Sequence, residues 1–228
     1  MTQGKKPKTQ PGPRGFTRDS LVETAIGLME EVGEAGFTLR KLGARAGCDA
    51  MTVLYHFKSK DGLFHAMADW LETQLKPAPA DLPWRDRLRH LGNQYRGLAL
   101  RYPASFGLMQ RFLHTGLADY GHMEMVHGAL EEAGISTRDI PSTCIGWYAT
   151  ITGLAMGEVA GLIRPLTDAE VDEIAQLPGD RYPRLKDATG LYRNLAPAAV
   201  FAATMEQLLD GIEGRGSVPT GQDRRAGA

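Results

Sequence analysis

The stretch Ala46–Lys60, AGCDAMTVLYHFKSK, places a glycine-containing turn directly before a short helical pattern that ends in two lysines. Gly47 is typical of a helix end, because glycine readily adopts the left-handed conformation found there. Asp49 is a suitable N-terminal cap for a helix from Ala50 to Phe57. A turn of only three residues between two helices is typical of a helix-turn-helix motif, which this stretch therefore predicts.

Segments on both sides of this stretch have the helical patterns needed to complete a small domain over residues 17–75. The first expected helix begins near Thr17, the second and fourth begin at the caps Thr38 and Ser59, and the first two end at Gly36 and Ala46. The proline-rich segment KPAPADLP follows this domain. Such a segment predicts a linker and a domain boundary.

Beyond the linker, residues 84–214 predict a larger domain that is also helical, so the expected fold class is all-α. The sequence has no alternating strand pattern and no internal repeat. The expected helices are Trp84–Arg101, Ala104–His114, Gly121–Ala133, Pro141–Ile163, one capped by Thr167, and Pro197–Ile212. The segment PGDRYPRLKD is expected to be a loop. Residues 1–16 and 215–228 are expected to be disordered.

The net charge of −1 conceals an asymmetry along the chain. Through His65 there are ten Lys and Arg against seven Asp and Glu, whereas from Ala66 onward there are 16 against 20. The first 18 residues carry five basic side chains and no acid. A basic N-terminal part followed by an acidic body favours a polyanion bound at one end. A solvated tail without a partner is the alternative.

The outward side of the third predicted helix has a chemistry suited to the major groove of DNA. At about 100° per residue, the inward residues are Ala50, Val53 and Phe57, and the outward residues are Met51, Thr52, Tyr55 and His56. Outward methyl and methylene groups can lie against a thymine methyl, and the hydroxyl groups and rings can form hydrogen bonds with phosphate. A solvated surface helix, the alternative, would more often carry Glu, Lys or Arg there.

Three basic side chains extend this surface. Lys58 and Lys60 lie at the start of the fourth predicted helix, where exposed backbone N–H groups also favour anions. Arg40, near the start of the second predicted helix, could reach a base edge or the DNA backbone.

The segment FTLRKLGARAGCDAMTVLYHFKSKDGLFHAM, residues 37–67, resembles the DNA-binding segment of the tetracycline repressor (TetR) family. The family pattern matches without gaps at Thr38, Arg40, Leu42, Gly47, Thr52, His56, Phe57, Lys60 and Leu63. The resemblance implies DNA contacts from Arg40, Thr52, Tyr55, His56 and Lys60. With the residues above, the predicted DNA-binding set is Thr38, Arg40, Ala50, Met51, Thr52, Tyr55, His56, Lys58 and Lys60. Two departures are Leu54, in place of the family's phosphate-binding Tyr, and Gly43, in place of the usual Ala, which is expected to loosen the second helix.

The stretch CIGWYATITGLAMGEVAGLI, residues 144–163, is long and apolar enough to suggest a membrane span. Glu158 and four glycines argue against a span, so a helix buried in the protein is expected. Small residues recur every four positions, at Ala149, Gly153, Gly157 and Gly161, and would let another backbone approach closely. In the TetR family, two late helices of each subunit form the dimer interface. The resemblance therefore implies a homodimer interface that includes Ala149, Gly153, Gly157, Gly161, Phe201, Met205, Leu208 and Leu209.

The resemblance also implies that the larger domain encloses a pocket for a small-molecule effector. The candidate pocket residues are Trp84, Tyr95, Phe106, Met109, Phe112, Trp147, Tyr148, Met156 and Glu158, although Met and aromatic residues are also what a plain helical core uses. Glu158 would select a cationic ligand if it lacked a basic partner, and it is structural if it has one. One recognition helix reads few base pairs, so a dimer on an inverted-repeat operator is expected, with effector binding changing the spacing of the two helices.

Two other classes of function remain as alternatives: a DNA-binding factor controlled by a protein partner, and a helical enzyme. Glu124, His127 and Glu131 share a helical face but lack a recognised metal-ligand pattern. No phosphate-binding loop, dinucleotide fingerprint or nucleophile motif occurs, so no catalytic residue, metal or cofactor is expected. Cys48 and Cys144 match no zinc or disulfide spacing. Without a recognisable secretory signal, the expected location is the cytoplasm.

Overall fold

The computed structural model describes residues 17–112 and 115–216, and over these residues it is helical without any strand. The helices are α1 (Arg18–Gly36), α2 (Leu39–Ala46), α3 (Ala50–Phe57), α4 (Lys60–Glu72), α5 (Trp84–Arg101), α6 (Leu108–Arg111), α7 (Leu117–Glu132), α8 (Ile140–Val159), α9 (Asp168–Ala175), α10 (Pro183–Arg193) and α11 (Pro197–Gly216). The all-α fold class predicted from the sequence is therefore confirmed. The predicted disordered arm and nearly all of the predicted tail lie outside the described residues.

The described residues form two compact units. The first unit contains residues 17–76 together with 101–112 and 115–122, and the second contains residues 77–100 and 123–216. The predicted linker begins where the chain passes from the first unit to the second. Residues 101–112 and 115–122, which were predicted to belong to the larger domain, are part of the first unit.

In the first unit, the helices α1 to α4 enclose a core of aliphatic and aromatic side chains. Thr17 caps α1 in a reciprocal arrangement with Ser20, which satisfies backbone N–H groups at the helix start. The side chains at the centre of this core are almost inaccessible to solvent and include Met29, Leu42, Val53, Leu63 and Met67. Burial of one stripe on each short helix therefore fixes the orientation of α2 and α3.

The junction between α3 and α4 is closely packed. Lys58 ends α3 with φ 67° and ψ −35°, a backbone conformation that is unfavourable for a side chain other than glycine. Ser59 then caps α4 by accepting a hydrogen bond of 2.9 Å from the Gly62 backbone N–H. A Cβ atom at Gly62 would collide with the carbonyl oxygen of Phe57. The first turn of α4 thus lies directly against the last turn of α3.

Two predicted elements differ from the observed ones. Of the helix predicted over residues 104–114, the structure describes only α6 as helical, and residues 113 and 114 lie outside the described residues. Ahead of α6 the backbone forms turns, in which the N–H groups of Leu108 and Met109 donate to carbonyl oxygens three residues earlier. The N–H groups of Ala104 and Ser105 donate to the Glu30 carboxylate at 3.1 and 2.9 Å. The predicted loop over residues 178–187 contains the start of α10, because Pro183 occupies the first turn, where its missing N–H is not needed. The Lys186 ammonium group further ties α10 to the end of α9 by donating to the carbonyl oxygens of Ala175 and Leu177.

In the second unit, α5 and α11 are joined by arginine–carboxylate pairs. Arg89 donates to Glu206 at 2.7 and 3.0 Å, and Arg85 donates to Glu206, Asp210 and Glu213. The hydrogen bond from Arg89 lowers the pKa of Glu206 to about 2, and Arg85 contributes in the same direction. Among the helices that the structure describes, none is both long enough and apolar enough to span a membrane.

Candidate nucleic-acid interface

The turn between α2 and α3 has the geometry that its glycines predict. Gly47 ends α2 with φ 78° and ψ 27°, in the left-handed region. A Cβ atom at Gly43 would lie 2.8 Å from the Cys48 carbonyl oxygen, which is closer than side chains normally approach. Gly43 thus allows the turn to fold back tightly on α2, in addition to any loosening of the helix.

Asp49 caps α3 and fixes the side chain of Thr52. One oxygen of the Asp49 carboxylate accepts hydrogen bonds from the Thr52 backbone N–H at 2.7 Å and from the Thr52 hydroxyl at 2.9 Å. The capped turn holds the first residues of α3 in a defined orientation, because two donors converge on one acceptor atom. Thr52 is half-buried, and its hydroxyl proton is already used in this contact.

The two faces of α3 are as predicted for most of their residues. Val53 and Phe57 are 0% and 5% exposed, whereas Met51 and Tyr55 are 71% and 60% exposed. Met51 and Tyr55 lie one turn apart, so they form a single outward ridge. Ala50, at the start of the helix, is half-buried.

His56 is less available than the sequence pattern predicts. Its ring packs near the rings of Tyr55 and Phe57, with centroid distances of 5.5 and 6.2 Å. The Nε2 atom is inaccessible to solvent, and no hydrogen-bond partner for it lies within the described part of the chain. In this conformation, Nε2 of His56 cannot reach a phosphate group.

The predicted basic contacts are exposed, but the two lysines already have partners within the chain. The Lys58 ammonium group donates to the Tyr55 carbonyl oxygen at 3.2 Å and lies 5.4 Å from the centre of the Tyr55 ring. The Lys60 ammonium group donates to the Phe37 carbonyl oxygen at 3.4 Å. Arg40 is exposed and has no ion-pair partner among the residues described. Of the three, Arg40 is therefore the cation most directly available to DNA.

Thr38 has a structural role in addition to its predicted contact. Its hydroxyl oxygen accepts a hydrogen bond of 3.2 Å from the Lys41 backbone N–H and so caps α2. The predicted DNA-binding residues thus lie at the start of α2, along α3 and at the junction of α3 with α4, all within the first unit.

The predicted effector pocket is divided between the two units. Phe106, Met109 and Phe112 belong to the first unit, whereas Trp84, Tyr95, Trp147, Tyr148, Met156 and Glu158 belong to the second. Phe106 is fully buried, and Met109 and Phe112 are half-buried.

In the second unit, the ring of Tyr148 lies 5.8 Å from Tyr95 and 4.9 Å from Trp147, measured between ring centres. Trp147 is fully buried, and within the described ranges no acceptor lies within hydrogen-bonding distance of its Nε1–H. An unpaired buried donor of this kind is energetically unfavourable. Trp84 and Met156 are half-buried.

Glu158 has a basic partner. Arg96 of α5 donates to both of its carboxylate oxygens at 2.7 Å. The Glu158 side chain is only 12% exposed, and the Arg96 guanidinium group also lies 5.7 Å from the centre of the Phe201 ring. The ion pair therefore joins α5, α8 and α11, and Glu158 has the structural role that the sequence analysis left open.

Three residues of the predicted dimer interface belong to the core of the chain itself. Phe201, Met205 and Leu209 are at most 2% exposed, so these side chains have no surface to offer a second chain. The cause is Gly92 of α5, where a Cβ atom would collide with the Met205 methyl group, so α11 packs directly on α5. For these three residues the interface prediction is corrected.

The remaining predicted interface residues are more accessible. Ala149, Gly153 and Gly161 are exposed, and Gly157 and Leu208 are half-buried. Ile145, which the sequence analysis missed, is 54% exposed and extends the same four-residue series by one turn. On α11, the exposed residues of the first turns are Ala198, Ala199, Ala202 and Ala203. The four-residue period from Ala149 could have identified Ile145, and the alanine content could have identified this face of α11.

No group of three or more His, Cys, Asp or Glu side chains suited to a metal ion occurs within the described ranges.

Comparisons with known proteins relate both units to regulatory proteins. The family described as "Bacterial regulatory proteins, tetR family" matches residues 21–67, and "Tetracyclin repressor-like, C-terminal domain" matches residues 76–215. Tetracycline repressor protein class A from transposon 1721 of Escherichia coli is 26% identical over 208 residues, which cover 86% of this chain and 90% of that protein.

Two solved structures are similar in fold. The Streptomyces coelicolor TetR family protein ActR, in complex with actinorhodin, has a TM-score of 0.78 at 18% identity. The superposition covers 91% of this chain and 100% of the ActR chain. BioQ of Mycobacterium smegmatis, in complex with its double-stranded DNA operator, has a TM-score of 0.65 at 17% identity, with 87% of this chain and 99% of that chain covered. At these identities, the similarity supports the fold alone.

Proposed function

We propose, from the premise that this chain belongs to the TetR family of bacterial regulatory proteins, that it is a dimeric cytoplasmic repressor released from an inverted-repeat operator by a small, largely apolar ligand. The observation that carries the DNA-binding part is the exposed tip formed by α2 and α3. This tip exposes Arg40 on α2 and, on α3, a ridge of Met51 and Tyr55 whose outward side chains are uncharged. An α-helix with such a face fits the major groove of DNA.

Specific binding requires two copies of this tip. A single helix-turn-helix contacts few base pairs, and dimers place their two recognition helices about 34 to 36 Å apart, on successive major grooves. The proposed contact surface between subunits is the exposed side of α8 from Ile145 through Gly153, with the alanine-rich side of α11. Small side chains on both helices favour close approach of their backbones.

The proposed effector site is built around Trp147 in the second unit. An aromatic cluster of Tyr95, Trp147 and Tyr148 offers flat apolar surfaces, and the unpaired Trp147 Nε1–H offers one directional hydrogen bond. A ligand with an aromatic body and one acceptor oxygen would satisfy both. ActR, a protein of similar fold, has been solved in complex with actinorhodin. Because Arg96 neutralises Glu158, the proposed ligand need not be a cation.

Binding of ligand and of operator is expected to be antagonistic. If the ligand weakens operator binding by a given factor, operator DNA must weaken ligand binding by the same factor. Thermal-shift screening of small molecules, with and without the promoter duplex, tests this part. Trp147→Phe keeps an aromatic ring but removes the Nε1–H, and it should reduce ligand-induced release while leaving DNA binding intact. If every compound that binds leaves the protein–DNA complex in place, control by a ligand is refuted and control by a protein partner becomes the preferred function.

DNA binding itself is tested with fluorescence anisotropy on duplexes from the promoter region of the chain's own gene. Arg40→Ala should weaken binding and, if Arg40 contacts phosphate, should lower the slope of log affinity against log salt by about 1 per subunit. Arg184→Ala is the matched control, because Arg184 is an exposed arginine on α10 in the other unit. Equal binding by the two variants would contradict the proposed interface.

A further inference from the structure

The first turn of α3 exposes almost no hydrogen-bonding side chain. Met51 is 71% exposed and Ala50 is half-buried. The side chain of Met51 has only a thioether sulfur, which is a weak acceptor, and Ala50 has a methyl group. Thr52 has a hydroxyl group, but its proton is donated to the Asp49 carboxylate at 2.9 Å. No strong side-chain donor to a base is therefore available in this turn.

The exposure of Met51 matters because of its place, on the outward side of the helix proposed to enter the groove. Exposed apolar surface is unfavourable in water, and a Met side chain is soft and unbranched, so it adapts well to an irregular apolar partner. Tyr55, one turn further on, is 60% exposed and continues the ridge. Exposed cations adjoin this ridge at the end of α3, because the Lys58 ammonium group lies 5.4 Å from the centre of the Tyr55 ring and Lys60 follows two residues later. An apolar ridge among cations matches a ligand that is anionic at its edges and apolar in its centre.

The major groove of DNA offers one apolar group on a base edge, the 5-methyl group of thymine. In helix-turn-helix proteins, the N-terminal residues of the recognition helix contact base edges, and Met51 occupies the second position of α3. Resting on the DNA binding proposed above, we propose that the first turn of α3 reads each half-site by apolar contact between Met51 and a thymine methyl group, and not by side-chain hydrogen bonds donated to the bases. The preferred operator then has thymine at the position facing Met51.

The probe is a duplex selected by the full-length chain from a pool randomised over two half-sites one helical turn apart. Each thymine of the selected duplex is then replaced by deoxyuridine, symmetrically in both half-sites. Deoxyuridine keeps the hydrogen-bonding edge of thymine and lacks only the methyl group. Loss of one buried methyl should weaken binding about fourfold per half-site and about 15-fold for both, at the position facing Met51.

Variants of Met51 identify the protein partner of that methyl group. Met51→Ala should bind the thymine and deoxyuridine duplexes equally well, because the contact is already absent. Met51→Gln should shift the selected base towards adenine, since a glutamine amide can pair with the adenine edge. Both changes are at an exposed position, and circular dichroism together with the melting temperature checks that the fold is retained. Leu191→Ala is the control, because Leu191 is 77% exposed on α10 and should retain the discrimination of the wild-type chain.

Three results would overturn the inference, and they are distinguishable. If the selected duplex binds in a salt-sensitive manner but tolerates deoxyuridine at every position, the methyl contact does not exist. If deoxyuridine weakens binding equally in wild-type protein and Met51→Ala, the methyl group acts through DNA shape and not through Met51. If no duplex is enriched and no salt-sensitive affinity is measured, the proposed function fails together with the inference.

Discussion

Replacing Asp49 by asparagine separates two effects of one carboxylate at the tip of α3. The side chain stabilises α3 by accepting hydrogen bonds from Thr52 at 2.7 and 2.9 Å. Its negative charge, however, is exposed on the surface proposed to approach the DNA phosphates. Asn keeps an oxygen that can accept the same hydrogen bonds and removes the charge. We therefore expect Asp49→Asn to bind operator DNA more tightly than the wild-type chain.

The magnitude follows from screened electrostatics. A phosphate about one Debye length from the carboxylate, roughly 8 Å at physiological salt, contributes about 0.2 kcal/mol of repulsion in water. With about three such phosphates for each of two subunits, repulsion amounts to about 1 kcal/mol, or about fivefold in affinity. Asp49→Ala instead removes the cap, and its free energy of unfolding should fall by about 0.5 to 2 kcal/mol.

Fluorescence anisotropy with one labelled operator duplex at several salt concentrations measures the affinities, and urea unfolding measures the stabilities. Asp180→Asn is the matched control, because Asp180 is exposed in the other unit and far along the chain from α3. The gain for Asp49→Asn should shrink as salt increases, whereas the control should show no gain. Weaker binding by Asp49→Asn than by the wild-type chain would refute the reasoning, because the carboxylate would then be making a favourable contact, for example with a cytosine amino group.

Three further predictions concern the second unit. Gly153→Glu places a charge on the exposed side of α8, so the variant should sediment as a monomer and bind DNA much more weakly. The control Gly190→Glu, on α10, should remain dimeric, and a dimeric Gly153→Glu would exclude this side of α8 as the interface. Glu158→Gln leaves the Arg96 guanidinium group without its charge partner in a largely buried position, so the free energy of unfolding measured in urea should fall by about 2 to 4 kcal/mol. A decrease below about 0.5 kcal/mol would contradict a structural role for Glu158. The pKa of Glu206 is lowered to about 2 in the folded chain, so its ionised form adds to the free energy of unfolding above the ordinary pKa of 4.5, and this addition is lost as pH falls towards 2. Because Glu206 and its arginine partners are partly exposed, the addition should stay below about 1 kcal/mol. Glu206→Gln should abolish this part of the acid dependence of stability in unfolding experiments.

The part of the fold that the sequence predicts best is the one governed by local signals. The turn from Gly47 to Asp49 and the helix bounded by Ala50 and Phe57 agree with the structure residue by residue. Glycine conformation, a capping carboxylate and an inward stripe all act within a few residues, so a sequence window contains them completely. The exposure of Met51 and the burial of Val53 follow from the same helical period.

The features that the sequence did not predict depend on distant partners. The stripe of Phe201, Met205 and Leu209 is correct as a stripe, but periodicity cannot distinguish burial against the chain's own α5 and α8 from burial against a second chain. The missing Cβ atom at Gly92, more than 100 positions away, decides between them. The prolines at positions 178 and 183 indicated a loop, whereas the contacts of Lys186 with the end of α9 support a helix.

The pairing of Glu158 with Arg96 joins residues that are 62 positions apart, so no local pattern could reveal it. The buried Nε2 of His56 has a similar explanation, because the outward direction on a helical wheel ignores the neighbouring rings of Tyr55 and Phe57. In both cases the residue type was identified correctly as notable, but its environment is a property of the assembled fold.

The missing side chain at Gly62 bears on how α3 and α4 move relative to each other. There is no space between the first turn of α4 and the Phe57 carbonyl oxygen, and Lys58 between the two helices has a positive φ. The connection between α3 and α4 is therefore short and closely packed. We therefore expect any rotation of α4 to move α3 with it. A larger side chain at Gly62 should change the orientation of α3 relative to α4, even where both helices remain folded.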